Sequence, residues 1–417
     1  DRGPARTAIT TIAAERDDQQ KQLVAKYQSQ LTIDDTAIDA ALSTDEKQEL
    51  AEISARIPEL AAGRRSYEYI SIATESPART ATHVLRRGNY LRPGLEVNPE
   101  LPEILVPESE GPALATDSPA HLSGRRLALA RSVTDPDSLA GNHVARVFVN
   151  RVWQQVFGRG IVETSDNLGV SGAKPSHPKL LDWLTIRFIE SGWRVKPLIR
   201  LMVLSTAYRQ NSYGEVSSID PDNHLLWRMN LRQLDSEQLR DAILTVSGKL
   251  DRQLGGPPIP LDPRPDGMVV LKTDALPAGT TPWRRSVYIL GRRNYHLTFM
   301  RVFDQPIVAR NCAVRKPSAV VTQSLALLHD DFMFEQSEFL AERVAREATG
   351  ESCDDRVKAA WRIVLGRFPD EEETRLCREL LERHINQYSR TEQQPEQRAL
   401  VQLCHMLLNT SEFLYVQ

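Results

Sequence analysis

The stretch Asn142–Tyr213, NHVARVFVNRVWQQVFGRGIVETSDNLGVSGAKPSHPKLLDWLTIRFIESGWRVKPLIRLMVLSTAYRQNSY, decides how the rest of the chain is read. Apolar residues fall at Val144, Val147, Phe148, Val152, Trp153, Val156 and Phe157, the three-to-four spacing of one helix face. Gly158 and Gly160 stop that helix, and a polar loop runs from Glu163 to Ser176. Pro178 then stands where a first-turn proline costs little, because its missing N–H has no helical partner. Leu180, Leu181, Trp183, Leu184, Phe188 and Ile189 predict a second helix closed by Gly192. A third opens at Pro197 and carries Leu198, Ile199, Leu201, Met202 and Leu204. Short helices this apolar bury little alone, so they are expected to pack on one another and on the rest of the chain.

The same stretch is locally basic. Its ten Lys and Arg residues, Arg146, Arg151, Arg159, Lys174, Lys179, Arg187, Arg194, Lys196, Arg200 and Arg209, face only Glu163, Asp166, Asp182 and Glu190. Two readings stand: ion pairing with acidic segments elsewhere in the chain, or a surface for an anionic ligand. The chain as a whole has a net charge of −3 and a pI near 6.4, which argues against a nucleic-acid binder. The composition, 41% hydrophobic and 26% charged over 417 residues, is that of a globular protein with one large or two coupled domains. No run of about 18 apolar residues occurs, so no membrane span is expected. The chain opens at Asp1 with no leader pattern and is expected to be a fragment or a processed chain.

Upstream, residues 1–60 carry a weak helical stripe at Leu23, Val24, Tyr27 and Leu31, then a capping-box pair, Ser43 and Glu46, before Leu50, Ile53 and Ile57. Tyr67–Ala73 and Thr82–Leu85 read as short strands. From Leu91 to Pro119 there are six prolines and six acids, which predicts an extended acidic segment wrapping a surface. Downstream, Asp235 and Gln238 predict a helix start before Leu239, Ile243, Leu244 and Val246. Ser286–Leu290, SVYIL, reads as a strand inside a Gly- and Pro-rich region, and Val320–Leu328, Phe339–Val344, Val357–Leu365, Leu376–Ile385 and Leu400–Leu408 keep helical spacing.

Several of these runs carry a resemblance: Asn150–Gly172, Pro175–Leu184, Gly192–Ser212, LRQLDSEQLRDAILTVSGKLD from Leu231, RRSVYILGRR from Arg284, FDQP from Phe303, VVTQSLALLHDDF from Val320 and LLNTSEFLYV from Leu407. Together they resemble a C-terminal domain of unknown function (family 1553) found in secreted, cytochrome-c-associated proteins of planctomycete bacteria. The likeness spans roughly Tyr69–Gln417. It implies an extracytoplasmic setting and a larger multidomain protein, and it implies no particular activity.

No local motif fixes a reaction. There is no nucleophile elbow, phosphate loop or H-E-x-x-H, and the histidines sit at no ligand spacing, so no metal and no cofactor is expected. Cys404-His405 lacks the cysteine that c-type haem needs at Val401. The four cysteines permit disulfides, and Cys377 and Cys404 equally suit buried thiols on apolar helix faces. Glu163, Asp166 and His177 are the catalytic candidates, since acid–base chemistry needs ionisable groups within reach of one substrate. Arg284, Arg285, Arg292 and Arg293, with Arg151 and Arg200, are the ligand candidates, because planar guanidinium groups clamp carboxylate or sulfate through paired hydrogen bonds. They equally suit pairing with Asp304, Asp235 or Asp241.

The expected fold is α+β and predominantly α-helical, a helical core with a small β element and an N-terminal helical hairpin. The hairpin covers 1–63 at a junction with an upstream region, short strands and the Pro-rich segment cover 64–120, and the main body covers 121–417 with a β insertion near 255–293. The expected function is a non-catalytic scaffold or partner-binding module, its partner being upstream domains of the same polypeptide or another extracytoplasmic protein. The alternative is an enzyme or binding module acting on sulfated or uronic-acid polysaccharide through an arginine-lined groove.

Overall fold

The computed structural model describes residues 2–31, 40–63, 71–72, 81–106, 123–214, 218–307, 312–315 and 317–416. The chain divides into two compact units, 1–76 and 77–417. In the first, α1 (Arg2–Thr10) packs against α2 (Asp18–Leu31), and α3 (Thr44–Ala62) follows. The expected capping box starts α3: Ser43 N donates to Glu46 Oε2 at 2.8 Å while Glu46 N donates to Ser43 Oγ at 3.4 Å.

The second unit opens with an antiparallel pair, β1 (Thr82–Leu85) and β2 (Pro93–Val97), with Thr82 opposite Val97. Thus the start of the Pro-rich segment pairs as a strand; its part from 107 onward, and most of the Tyr67–Ala73 run, lie outside the described residues. Next come α4 (Arg125–Thr134), α5 (Leu139–Phe157), α6 (Pro178–Glu190), α7 (Val195–Val203), β3 (Arg232–Gln233), α8 (Ser236–Val246), β4 (Leu261–Pro263), β5 (Val269–Leu271) and α9 (Thr298–Val302). The chain then runs through α10 (Val321–His329), α11 (Asp331–Glu347), α12 (Cys353–Leu365), α13 (Glu371–Tyr388), α14 (Pro395–Leu408), α15 (Ser411–Leu414) and β6 (Tyr415–Val416). The fold is α+β and predominantly helical, its described strands forming antiparallel pairs only.

Two apolar cores hold this unit. The first joins Val149, Trp153 and Phe157 of α5 to Leu181, Leu184 and Phe188 of α6 and Leu198 and Met202 of α7. Trp153 stacks on Phe157 at 4.0 Å, and Tyr208 meets Phe157 edge-on at 5.9 Å. The second core joins Leu239 and Ile243 of α8 to Met333, Leu340 and Val344 of α11, Val357 and Trp361 of α12, and Leu400, Leu403 and Leu407 of α14. Around it the acidic C-terminal helices are answered locally: Arg367 holds Glu373 at 2.8 Å and Glu412 at 2.6 Å, and Arg378 holds Asp354 at 2.6 Å. These links hold both the Glu373 and the Asp354 carboxyl below the ordinary range, the arginine hydrogen bond being the main cause in each.

Between the cores runs a polar seam. The β3–β6 pair crosses it, with Arg232 opposite Val416. Arg232 Nη1 donates to Gln155 O at 2.7 Å and Asn230 Nδ2 to Phe157 O at 3.0 Å. Gln154, buried on α5, donates from Nε2 to Ala313 O at 3.2 Å.

One sequence expectation is corrected. Ser286–Leu290 is not a strand: Ser286–Tyr288 winds into a 3-10 turn, and a single bridge joins Ile289 to Ile259. The cause is Asp241, whose Oδ1 accepts from Ser286 N at 2.8 Å and from Ser286 Oγ at 2.7 Å, pinning the chain in a turn despite its β-branched and aromatic composition.

Candidate functional site

The loop after α5 is built on buried side chains. Asn150 is fully buried; its Oδ1 accepts from Val162 N at 2.8 Å and its Nδ2 donates to Val162 O at 2.9 Å and Ser165 Oγ at 3.2 Å. Ser165 Oγ in turn donates to Gln154 Oε1. Gly158 ends α5 at φ +82°, a left-handed position that suits glycine. Gly160 leaves room for this arrangement, because a Cβ there would stand 2.4 Å from Val162 O and 2.9 Å from Asn150 Nδ2. The spacing of Asn150, Gln154, Gly158 and Gly160 therefore describes one rigid turn held against the seam.

Two hollows open along that seam. One, of about 350 Å³, is lined by Arg159, Asn230, Arg232, Asp235, Arg315 and Tyr415 among others. Of its charges, Arg315 is answered, reaching Glu237 at 2.6 Å and Asp235 at 3.6 Å, while Arg232 donates to a main-chain carbonyl. Burial works to raise the Glu237 carboxyl, and the Arg315 hydrogen bond leads the contributions that bring it below the ordinary range. The other, of about 430 Å³, is lined by Arg151, Gln154, Gln155, Asp166, Cys312 and Ala313.

Two of the sequence candidates, Arg151 and Asp166, therefore share a hollow, without an ion pair joining them. Glu163 lies 3.8 Å from Arg159 instead, and His177 begins α6 with its Nδ1 3.0 Å from Ser176 Oγ. Among the described residues no hydrogen bond or ion pair links Glu163, Asp166 and His177 to one another. Of the other basic residues here, Arg146 pairs with Asp182 and Arg187 with Glu190, while Arg200 is exposed on α7.

The four downstream arginines do not face one way. Arg284 is fully buried, donating from Nη1 to Pro257 O at 2.7 Å and from Nη2 to Gly255 O, with its guanidinium 3.8 Å from the Tyr288 ring. Its Nη1 and Nη2 are thus engaged with main-chain carbonyls, while its buried Nε has no hydrogen-bond partner. Arg285, Arg292 and Arg293 are exposed on the irregular chain around the 3-10 turn. The expected strand alternation fails there because the strand itself is absent. A basic hollow that the sequence reading passed over lies at the β1–β2 turn, lined by Arg86, Arg87, Asn89 and Arg92. Its signal is the R-R-x-N-x-x-R spacing across a hairpin; Arg315 and Glu237, by contrast, lie far apart in sequence and left no local sign.

The outward side of α5–α7 is apolar. Trp183 is 45% exposed and Leu201 42%, and with Phe188, Pro197 and Leu198 they line a hollow of about 380 Å³. Phe148, also exposed, stacks on Phe188 at 5.1 Å, so the patch continues onto α5. Arg187 lies 5.5 Å from the Trp183 ring at its edge. The single face expected on each helix is thus two faces: Trp153 and Leu184 turn inward, Phe148 and Trp183 outward.

All four cysteines are free thiols, with Cys377 and Cys404 buried and Cys312 exposed. Among the described residues no group of His, Cys, Asp or Glu is placed to hold a metal ion, and no helix is long and apolar enough to cross a membrane.

A family model described as PSD1, protein of unknown function (DUF1553), matches residues 125–381, from the start of α4 into α13. The chain belongs to that family. No curated protein and no solved structure matches the chain. The family segment takes in the first core, the exposed apolar patch and the seam apart from β6, together with most of the second core.

Proposed function

We propose that this family member is a non-catalytic partner-binding module of a larger extracytoplasmic protein. The observation that carries the proposal is the apolar outer face of α6 and α7, where Trp183, Phe188, Pro197 and Leu201 surround an open hollow. Contiguous exposed apolar surface with aromatic and arginine side chains is the composition of a protein interface core. The occupant is an apolar protein surface, supplied by upstream domains of the same polypeptide or by a separate extracytoplasmic protein. Likeness to planctomycete proteins that carry cytochrome domains supports the setting outside the cytoplasm. That no hydrogen bond or ion pair joins Glu163, Asp166 and His177 favours binding over catalysis, and the inward turn of Arg284 weighs against an arginine-lined glycan groove.

The test places a photo-crosslinking amino acid at Leu201 in the natural polypeptide and maps the products by mass spectrometry. Cross-links should fall in one defined protein segment and disappear with Trp183→Glu, while thermal stability stays within about 1 kcal/mol because Trp183 is half exposed. Cross-links scattered over unrelated sequences, or unchanged by Trp183→Glu, would contradict the proposal.

A further inference from the structure

A separate cavity of about 400 Å³ lies beside the second core, walled on one side by the β4–β5 hairpin and on the other by the start of α11. Its apolar wall is aromatic: Trp283, Phe299 and Phe332 line it, with Phe299 meeting Phe332 edge-on at 5.3 Å and Trp283 centred 6.3 Å from Phe332. Facing these rings are three carboxylates, Asp330, Asp331 and Glu335. Asp330 caps α11, its Oδ1 accepting from Phe332 N at 2.9 Å. Asp331 and Glu335 are one helical turn apart and so share a face.

Among the described residues no ion pair answers Asp330, Asp331 or Glu335; Asp331 is exposed and the other two are half-buried. Elsewhere on the helices packed here, Glu338 reaches Arg398 at 3.5 Å, Glu347 reaches Arg343 at 2.9 Å and Asp354 reaches Arg378 at 2.6 Å. Burial is the main cause that pushes both the Asp330 and the Glu335 carboxyl above the ordinary range, so the fold tolerates their charge at a cost. The other charged groups nearby do not cancel it. Arg240, also in the lining, donates to Arg284 O at 2.9 Å and Pro282 O at 2.8 Å, its charge is answered by Asp241 at 3.9 Å, and its guanidinium lies 5.7 Å from one face of the Phe332 ring. Lys249 partly offsets Glu335 while sitting 3.7 Å from the Phe339 ring. Arg264 and His329 are exposed at the rim. Among the described residues these carboxylates do not gather as a metal site.

We infer that this cavity binds an organic cation, an alkyl ammonium or guanidinium group, whose charge meets Asp331 and Glu335 while its hydrocarbon lies against Trp283 and Phe332. Aromatic rings facing a cation, backed by unpaired carboxylates, make the recognition chemistry for such a group. The same chemistry arrives either as a free amine or as a lysine or arginine side chain of a peptide.

The experiment titrates the folded chain with n-butylammonium, with 1-butanol as its neutral match, and with acetyl-Gly-Lys-Gly-amide against its norleucine counterpart, following calorimetry and tryptophan fluorescence. Each cation should bind at least about tenfold more tightly than its neutral match. Tighter binding of the peptide than of butylammonium points to a side chain as the occupant, and the reverse to a free amine. Glu335→Gln should weaken cation binding about tenfold while leaving the protein folded and no less stable at neutral pH, a combination that loss of structure would not produce. Arg264→Ala, which removes a rim cation, should leave cation binding equal or tighter. Equal binding of cation and neutral match, no cation binding by the folded protein, or weaker cation binding in Arg264→Ala would each overturn the inference.

Discussion

Replacing Asn150 with alanine removes the side chain on which the loop after α5 is built. Three hydrogen bonds go, at 2.8, 2.9 and 3.2 Å, and the Val162 N–H and C=O are left without them at a residue only 3% exposed. At about 1 kcal/mol net for each bond, plus about 1–3 kcal/mol for a buried donor left unpaired, the loss comes to roughly 4–6 kcal/mol. Asn150→Asp should not rescue it, because a carboxylate oxygen would replace the Nδ2 donor opposite the Val162 carbonyl. Urea unfolding followed by circular dichroism and by tryptophan fluorescence, which reports Trp153 in the same core, gives the number directly. A change below about 0.5 kcal/mol would refute the view that this turn is held by Asn150.

Further outcomes follow from the same geometry. Gly172→Ala places a Cβ 2.0 Å from Asn167 O, a backbone atom, so it should destabilise by about 1–3 kcal/mol in the same assay. Acid should weaken the C-terminal helices: Glu373 is held below its ordinary 4.5 and Asp354 below its ordinary 3.8, so the stability they contribute is complete above those values and lost as pH falls through the lowered folded-state values. Glu335 has the opposite sign, its folded value being raised, so Glu335→Gln should stabilise above that raised value and make no difference below 4.5; urea midpoints at neutral and acid pH compare the two. Thiol titration of the folded chain should modify Cys312 quickly and Cys404 only on unfolding, because Cys404 is fully buried and burial pushes its thiol up.

The helices were legible because apolar spacing and punctuation agree. Gly158 and Gly366 end α5 and α12 at positive φ, and Pro178 and the Ser43–Glu46 pair open helices where their chemistry requires. The run Ser286–Leu290 misled because its composition favours a strand while a carboxylate on α8 dictates a turn, and such a distant partner leaves no trace in the local pattern. Which way an apolar residue faces was not legible for a related reason. Helices as apolar as α5 and α6 have more than one apolar face, and only packing decides that Trp153 goes in and Trp183 stays out. Of the candidate residues, Arg151 and Asp166 share a hollow across a 15-residue separation that the loop folds back on itself, and the cavity of Trp283 and Glu335 joins segments too far apart for any spacing rule to connect.

The most direct measurement of the central claim is hydrogen–deuterium exchange of the peptides covering 178–204, comparing this chain alone with the natural polypeptide and its partners. If the apolar face around Trp183 and Leu201 is a docking surface, exchange there should slow by an order of magnitude or more in the assembled protein, while the exposed turn at Arg86–Gly88 stays unchanged. Identical exchange across 178–204 in both states would contradict the account.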